Sequence, residues 1–158
     1  MDKKYITKSY KETQKLGEIF ALQLRSGQAK EKRKSAIVIG LSGNLGGGKT
    51  TFLQGFAKGL GIKERILSPT FVIQKRFAIK NRKFKNFYHI DCFRLKNNED
   101  VLELGFKEII KNPENIVAVE WAERIKKVLP KNIISIKFTC PEPRRRIDEN
   151  KRELTFKK

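Results

Sequence analysis

Apolar residues along the chain fall into two patterns: short continuous runs, and longer stretches in which they recur every three or four positions. Residues 36–41 form a continuous apolar run followed closely by glycines, which is typical of a buried strand. Residues 50–60 carry Phe52, Leu53 and Phe56 on one side and precede Gly61, which predicts a helix and its end. The same patterns predict helices over residues 10–25, 98–111 (capped by Asn98) and 123–129, and strands over residues 71–78, 84–90, 116–119, 133–139 and 153–156.

The order of these elements indicates the fold class. Apolar strands that alternate with helices predict an α/β domain with a mostly parallel central sheet flanked by helices. Strands 71–78 and 84–90 are joined by the short polar turn 79–83, which predicts an antiparallel hairpin within that sheet. The chain has 158 residues, a length typical of one domain, so we expect a single domain over residues 1–158.

A glycine-rich loop separates strand 36–41 from helix 50–60 and matches G-x-x-x-x-G-K-[ST] from Gly43 to Thr50. Glycines let backbone N–H groups turn inward, and with the following helix N-terminus these groups form a cradle for phosphate. Lys49 would supply a cation to the terminal phosphates, and the Thr50 hydroxyl would bind the Mg²⁺ that bridges them. The loop therefore predicts a P-loop NTPase-like fold, and its candidate nucleotide-binding residues are Asn44, Leu45, Gly46, Gly47, Gly48, Lys49 and Thr50.

Two acidic residues stand at the ends of predicted strands. Asp91 follows strand 84–90, and Glu120 follows strand 116–119. Ligands bind at such strand ends in open α/β sheets, and a P-loop enzyme needs a carboxylate to orient Mg²⁺ or the attacking water. Both residues are catalytic candidates, and either could contact the metal. Their alternative roles are structural, as an ion pair of Asp91 with Arg94 and a surface salt bridge of Glu120.

Two further features lie near this predicted edge of the sheet. The segment from Ser68 to Thr70 lies between the loop's helix and the hairpin, where many P-loop proteins have a segment that responds to the γ-phosphate. A plain proline turn explains the same residues. Trp121 follows Glu120 directly, either as a core or rim aromatic residue or as one that stacks on a base.

Charge and composition exclude several classes of protein. With 36 Lys+Arg against 17 Asp+Glu, the net charge of +19 favours anionic partners. The longest apolar run is far too short to span a membrane, and the first 20 residues contain no secretory apolar run, so we expect a cytoplasmic protein. Two separate cysteines and one histidine do not supply a zinc site. No D-x-x-G or N-K-x-D motif follows the loop, which argues against a GTPase.

Taken together, these motifs resemble the TsaE family of small bacterial ATPases. The resemblance extends from Thr7 to about Thr155 and rests on five segments in a fixed order. These segments are S-x-x-E-T-x-x-L-G at residues 9–17, G-N-L-G-G-G-K-T-T at 43–51, S-P-T-F at 68–71, H-I-D-C-F-R-L at 89–95 and V-E-W-A-E-R at 119–124. The chain departs from the family pattern at Ala122, where the family often has Pro, and at Phe93, where it often has Tyr.

The resemblance implies a slow ATPase that uses Mg²⁺ and releases ADP. It implies that the protein supports the TsaD–TsaB pair, which transfers threonylcarbamoyl to adenosine 37 of ANN-decoding tRNAs, so that tRNA is met through that complex and no membrane is involved. By position, Thr50 and Glu120 would ligate Mg²⁺, and Asp91 would act on the water or the metal shell. Thr51, Thr70 and Trp121 would lie at the nucleotide site.

Two other functions fit part of the sequence. A small-molecule or nucleoside kinase would use the same loop but transfer phosphate to a metabolite. An RNA-binding module would use the loop only to hold an anion. The basic stretches 75–96 and 144–158 are either a solvated surface or a surface that docks on an acidic partner or on tRNA held by the partner.

Overall fold

The computed structural model describes residues 2–27, 33–67, 72–140 and 151–157. Within these ranges the strands are β1 Lys3–Thr7, β2 Ile37–Gly43, β3 Gln74–Ala78, β4 Asn86–Asp91, β5 Asn115–Glu120, β6 Ile134–Thr139 and β7 Arg152–Lys157. The helices are α1 Tyr10–Ser26, α2 Lys49–Gly59, α3 Asn98–Glu103 and α4 Phe106–Lys111, with a 3₁₀ helix at Ala122–Ile125. No helix of these described ranges is long and apolar enough to cross a membrane.

All these strands belong to one sheet with the order β1-β7-β6-β2-β5-β4-β3. Its centre is parallel, because β2 pairs with β5 and β6, and β4 pairs with β5, in the parallel sense. Both flanks are antiparallel, and the flanking β3–β4 pair is the predicted hairpin. The predicted fold class is confirmed. The parallel register aligns Leu41 with Glu120 and Asp91 with Glu120, so the carboxyl ends of β2, β4 and β5 meet at one edge.

Helices cover both faces of the sheet and enclose two apolar cores. One core lies under α1 and α2 and is rich in aromatic rings, including Phe52, Phe56 and Phe87. The other lies under α3, α4 and the 3₁₀ helix. The side chains of β5 alternate between the two cores, as expected for a strand buried on both faces.

Glycines allow α1 and α2 to approach almost to backbone contact. A Cβ added at Gly17 would collide with the carbonyl oxygen of Phe52, and one added at Gly55 would collide with that of Gln14. The start of α1 is fixed by Ser9, whose hydroxyl accepts the N–H of Glu12 at 3.2 Å. This contact agrees with the S-x-x-E pattern and fixes the first turn of α1.

Some predicted boundaries were wrong. The helix expected over residues 98–111 is two helices, because Gly105 takes a left-handed conformation (φ 76°) between them, and its cap is Asn97 instead of Asn98. The helix expected over residues 123–129 is only the 3₁₀ turn Ala122–Ile125. Strand β1 was not predicted, since it is polar and largely exposed and gains its order by pairing with β7.

Candidate functional site

The glycine-rich loop connects β2 to α2, in the strand–loop–helix context that its motif requires. Gly43, Gly46 and Gly48 all have positive φ, a region where side chains are strained. Gly48 is the N-cap of α2 and provides no side-chain hydrogen bond to the helix. The first N–H groups of α2 and the loop therefore form a backbone cradle suited to an anion.

Lys49 is the first residue of α2, and its side chain turns back over the loop. Its ammonium donates hydrogen bonds to the carbonyl oxygens of Gly43 at 2.7 Å and Asn44 at 2.9 Å. The same nitrogen lies 4.2 Å from the centroid of the Trp121 ring, within the range of a cation–π contact. Burial lowers the pKa of Lys49, while the nearby carboxylates, that of Glu120 first, oppose this shift. Lys49 is thus a buried cation aimed into the loop.

Glu120 is buried at the carboxyl end of β5 and accepts hydrogen bonds from two sides. The Thr50 hydroxyl lies 3.0 Å from its Oε1 and 3.2 Å from its Oε2. The Nε2 of His89, on the neighbouring strand β4, lies 2.7 Å from Oε1. Both His89 and Glu120 are almost fully buried, with side chains 1% and 4% exposed. The carboxylate is therefore held in one orientation beside the first turn of α2.

Asp91 ends β4 next to Glu120, and the two residues are partners in the parallel register. Its Oδ1 accepts the backbone N–H of Phe93 at 2.9 Å, which fixes the turn after the strand. The two acids therefore stand side by side at one sheet edge, but of the two it is Glu120 that contacts the Thr50 hydroxyl.

Trp121 has a left-handed backbone (φ 57°, ψ 43°), which is costly for a residue with a large side chain. Its ring packs against Phe93 with centroids 5.1 Å apart, and the Arg124 guanidinium lies 5.9 Å from its centroid. The turn places the indole beside Lys49 at the mouth of the site. Strained backbones of this kind cluster at functional sites.

These groups line one cavity of about 270 Å³. The predicted site residues on its walls are Leu45, Gly46, Gly47, Gly48, Lys49, Thr50, Thr51, Asp91, Glu120 and Trp121. Asn44 contributes its carbonyl oxygen to Lys49. Thr70 and its neighbours 68, 69 and 71 lie outside the described residues.

Sequence reasoning missed one wall of this cavity, formed by Tyr10, Thr13 and Arg152. A Cβ added at Gly48 would lie 3.7 Å from both Arg152 and Thr13, so these side chains pack against the phosphate loop. Thr13 is anchored by a 2.7 Å hydroxyl contact with Thr7 of β1. The S-x-x-E-T motif marked Tyr10 and Thr13 only as the start of a helix. No local signal marks Arg152, which the β7 pairing brings to the loop from about 100 residues away.

Three further residues line the cavity, and the oxygen atoms on its walls determine which metal complex it can hold. Ile73, Phe93 and Arg94 complete the lining. Among the described residues, no group of three or more His, Cys, Asp or Glu side chains could hold a metal ion by itself. Mg²⁺ suits one or two protein oxygens together with phosphate oxygens, so the Thr50–Glu120 pair beside the loop fits a magnesium–nucleotide complex better than a free ion.

Comparison with known proteins decides the family. The model of the family described as "Threonylcarbamoyl adenosine biosynthesis protein TsaE" matches residues 7–147. The chain belongs to the TsaE family. Proteins described as tRNA threonylcarbamoyladenosine biosynthesis protein TsaE are similar to it over most of its length. The one from Bacillus subtilis is 37% identical over 123 residues, 78% of this chain and 70% of its own. The one from Rickettsia typhi is 32% identical over 151 residues, 95% of this chain and 91% of its own.

A solved structure supports the same assignment. The crystal structure of Bacillus subtilis YdiB matches with a TM-score of 0.72 and 28% identity, over 99% of this chain and 84% of that one. The resemblance to the TsaE family is therefore confirmed, and so is a P-loop NTPase fold. TsaE membership places the chain in tRNA threonylcarbamoyladenosine biosynthesis. The family and the P-loop fold together indicate a nucleotide-binding protein.

Proposed function

We propose that this TsaE-family chain binds ATP with Mg²⁺ and hydrolyses it to ADP and phosphate. The observation that carries the proposal is the contact of the Thr50 hydroxyl with both carboxylate oxygens of Glu120, at 3.0 and 3.2 Å, directly beside the glycine loop. A hydroxyl and a carboxylate so placed are the protein oxygens that P-loop enzymes use beside the bridging phosphates.

Each residue of the site has a separate task in this proposal. The backbone N–H groups from Gly46 to Gly48 and the ammonium of Lys49 hold the phosphates. Thr50 and Glu120 hold Mg²⁺, which supplies positive charge to the phosphate oxygens during the reaction. Asp91, fixed by the Phe93 N–H, orients the attacking water or a water of the metal shell. Tyr10, Thr13 and Arg152 close the other side of the nucleotide cavity.

We further propose that hydrolysis supports the TsaD–TsaB pair in forming N6-threonylcarbamoyladenosine at position 37 of ANN-decoding tRNAs. Leu45 and Phe93 line the cavity, yet they are 72% and 41% exposed. Exposed apolar groups at a site mouth favour protein contact. A partner that docks there could position the water or stabilise charge, and such groups raise P-loop hydrolysis by orders of magnitude. The isolated chain is then a slow ATPase.

The proposed ATPase activity is tested by measuring the free phosphate released from labelled ATP, first with the chain alone and then with purified TsaD–TsaB added. We expect slow turnover that the pair accelerates. Lys49→Ala should abolish it, whereas Lys58→Ala, which removes an exposed lysine from the same helix, should not. Equal turnover in the wild type and Lys49→Ala would refute the ATPase. Label recovered in a phosphorylated metabolite in place of free phosphate would identify a kinase instead.

A further inference from the structure

The end of the sheet opposite the nucleotide cavity gathers three segments that are distant in sequence. The Ala36 N–H, just before β2, donates to the Ile110 carbonyl of α4 at 2.8 Å. The β3–β4 connection joins them, since the Lys85 N–H donates to the Glu114 carbonyl at 2.8 Å. The Arg33 guanidinium lies 4.3 Å from the Phe84 centroid and links the first segment to the connection. The amino ends of β2, β4 and β5 therefore present one continuous surface.

This surface is densely basic, and we call it the basic pole. Its basic residues are Arg33, Lys34, Lys80, Arg82, Lys83, Lys85 and Lys111. Five of the seven are exposed, and Arg33 and Lys83 are half-buried. Within described residues 33–36, 79–85 and 110–114, which form this surface, the acidic side chain is Glu114 alone, and no ion pair of the described residues involves any of the seven. The pole concentrates part of the +19 net charge with little local neutralisation.

The chemistry of the pole distinguishes between possible partners. Large apolar side chains are exposed elsewhere among the described residues, for example at Leu45, Val72 and Phe93, but none of them belongs to the pole. Protein interfaces have an apolar or aromatic centre and are depleted in lysine. Membrane-surface helices likewise need an apolar face. A phosphate backbone needs neither, because lysine and arginine bind it by displacing condensed counterions.

We propose that the basic pole binds the phosphate backbone of RNA, and that tRNA, the molecule on which the family's pathway acts, is its ligand. This goes beyond the proposed ATPase and does not depend on it. Strands β4 and β5 are each six residues long and run from the pole to the cavity. At about 3.3 Å per residue they separate the two surfaces by about 20 Å. One molecule could therefore hold RNA and nucleotide at the same time.

The test measures binding of a fluorescein-labelled, unmodified tRNA transcript by fluorescence anisotropy between 50 and 200 mM KCl. The variant Lys80→Gln/Arg82→Gln/Lys85→Gln removes three charges from the pole. The matched control, Lys8→Gln/Lys126→Gln/Lys127→Gln, removes three exposed charges that lie outside the pole. We expect the pole variant to bind at least roughly tenfold more weakly, with a log–log salt slope shallower by about 2–3. The control should stay within about threefold of the wild type.

Three outcomes would overturn the proposal. One is a wild type that shows no salt-dependent binding of the transcript. Another is equal weakening in the pole variant and in the control, which would assign the attraction to net charge alone. The third uses vesicles containing phosphatidylglycerol. If the pole substitutions abolish vesicle binding and leave tRNA binding unchanged, the pole is a membrane surface.

Discussion

The two ends of the central sheet both attract anions, but they do so by different physics. At the carboxyl end the anion-binding groups are few, buried and fixed: the backbone N–H groups of the loop and Lys49 at 4% exposure, while the buried carboxylate of Glu120 would act through bound Mg²⁺. At the amino end seven basic side chains lie mostly in solvent, with none of their hydrogen bonds made to a carboxylate of the described residues. Fixed buried groups select one ligand geometry, whereas a dense exposed charge selects only for the sign and density of charge.

The Glu120→Gln substitution should distinguish the functions of the two ends most strongly. The amide keeps the size of the side chain and can still reach Thr50 and His89, but it lacks the negative charge that would hold the metal. We expect ATP turnover to fall on the order of 10²–10³-fold, the range seen when one pre-organised electrostatic group is lost. Binding of tRNA should not change.

Exposed Glu103 supplies the control for this charge change. Glu103→Gln makes the same substitution at the end of α3, at a residue that belongs neither to the cavity lining nor to the basic pole, and should leave turnover within about twofold. If Glu120→Gln hydrolyses ATP at the wild-type rate, Glu120 is not the metal-side acid and Asp91 becomes the candidate.

The carboxyl end was the more predictable of the two because its signals are local. The loop motif fixes its own conformation through its glycines, and Asp91 and Glu120 were marked by the ends of apolar strands. The sheet register then places both acids beside the loop. Thr7 and Arg152 could not be placed in this way, because β1 carries no apolar pattern and its position depends on pairing with β7. Thr13 lies on a predicted helix, but its position beside the loop depends on how α1 packs in the fold.

Two other features needed the structure for related reasons. His89 reaches Glu120 because β4 and β5 pair in parallel with His89 opposite Ala118, two residues before Glu120 on the same face of the sheet. The sequence shows a histidine in a strand, but it does not show that the histidine lies diagonally across from Glu120 on the neighbouring strand. Charge counts along the chain marked residues 75–96 as basic, but only the fold joins part of that stretch to Arg33 and Lys111. The single domain over residues 1–158 stays a prediction.

A smaller effect should follow from breaking the His89 contact that orients Glu120. His89→Asn cannot reproduce a bond made by Nε2, whereas the longer His89→Gln places an amide near that position. Loss of a group that holds a metal ligand costs about 10–100-fold in metal affinity. We therefore expect His89→Asn to weaken Mn²⁺ binding to the ADP complex by that factor, and His89→Gln to stay within about threefold of the wild type.

Two readouts separate this positioning role from a loss of structure. Electron paramagnetic resonance of Mn²⁺ reports metal affinity, and the fluorescence of Trp121, the chain's single tryptophan, reports ADP binding in EDTA. ADP binding without metal should be the same in all three proteins. Equal metal affinity in both His89 variants would show that the Nε2 contact does not orient Glu120.

Salt concentration should also distinguish the two ends, because its effects on the affinities of their ligands should differ roughly tenfold. Buried charges are screened little by salt, while exposed ones are screened over about 8–10 Å at these ionic strengths. Between 50 and 200 mM KCl we expect the affinity for MgATP to change by less than about threefold. Over the same range the affinity for the tRNA transcript should fall at least about thirtyfold, since each displaced counterion adds to the slope. Parallel salt slopes for the two ligands would mean that both bind through exposed charge.

The smallest expected effect concerns stability, and it separates recognition from folding at the amino end. The exposed side chains of Lys80, Arg82 and Lys85 form no ion pair with a described carboxylate, and among them Lys85 donates one exposed hydrogen bond, to the Asn81 carbonyl at 3.2 Å. Replacing the three with Gln therefore removes mainly repulsion. The free energy of unfolding in urea should stay within about 0.5 kcal/mol of the wild type, with any shift towards greater stability. A loss above about 1 kcal/mol would show that these side chains support the hairpin. If the free energy of unfolding is unchanged while tRNA binding weakens, the exposed charges of the basic pole act in recognition, as the buried groups at the carboxyl end of the sheet do for the nucleotide.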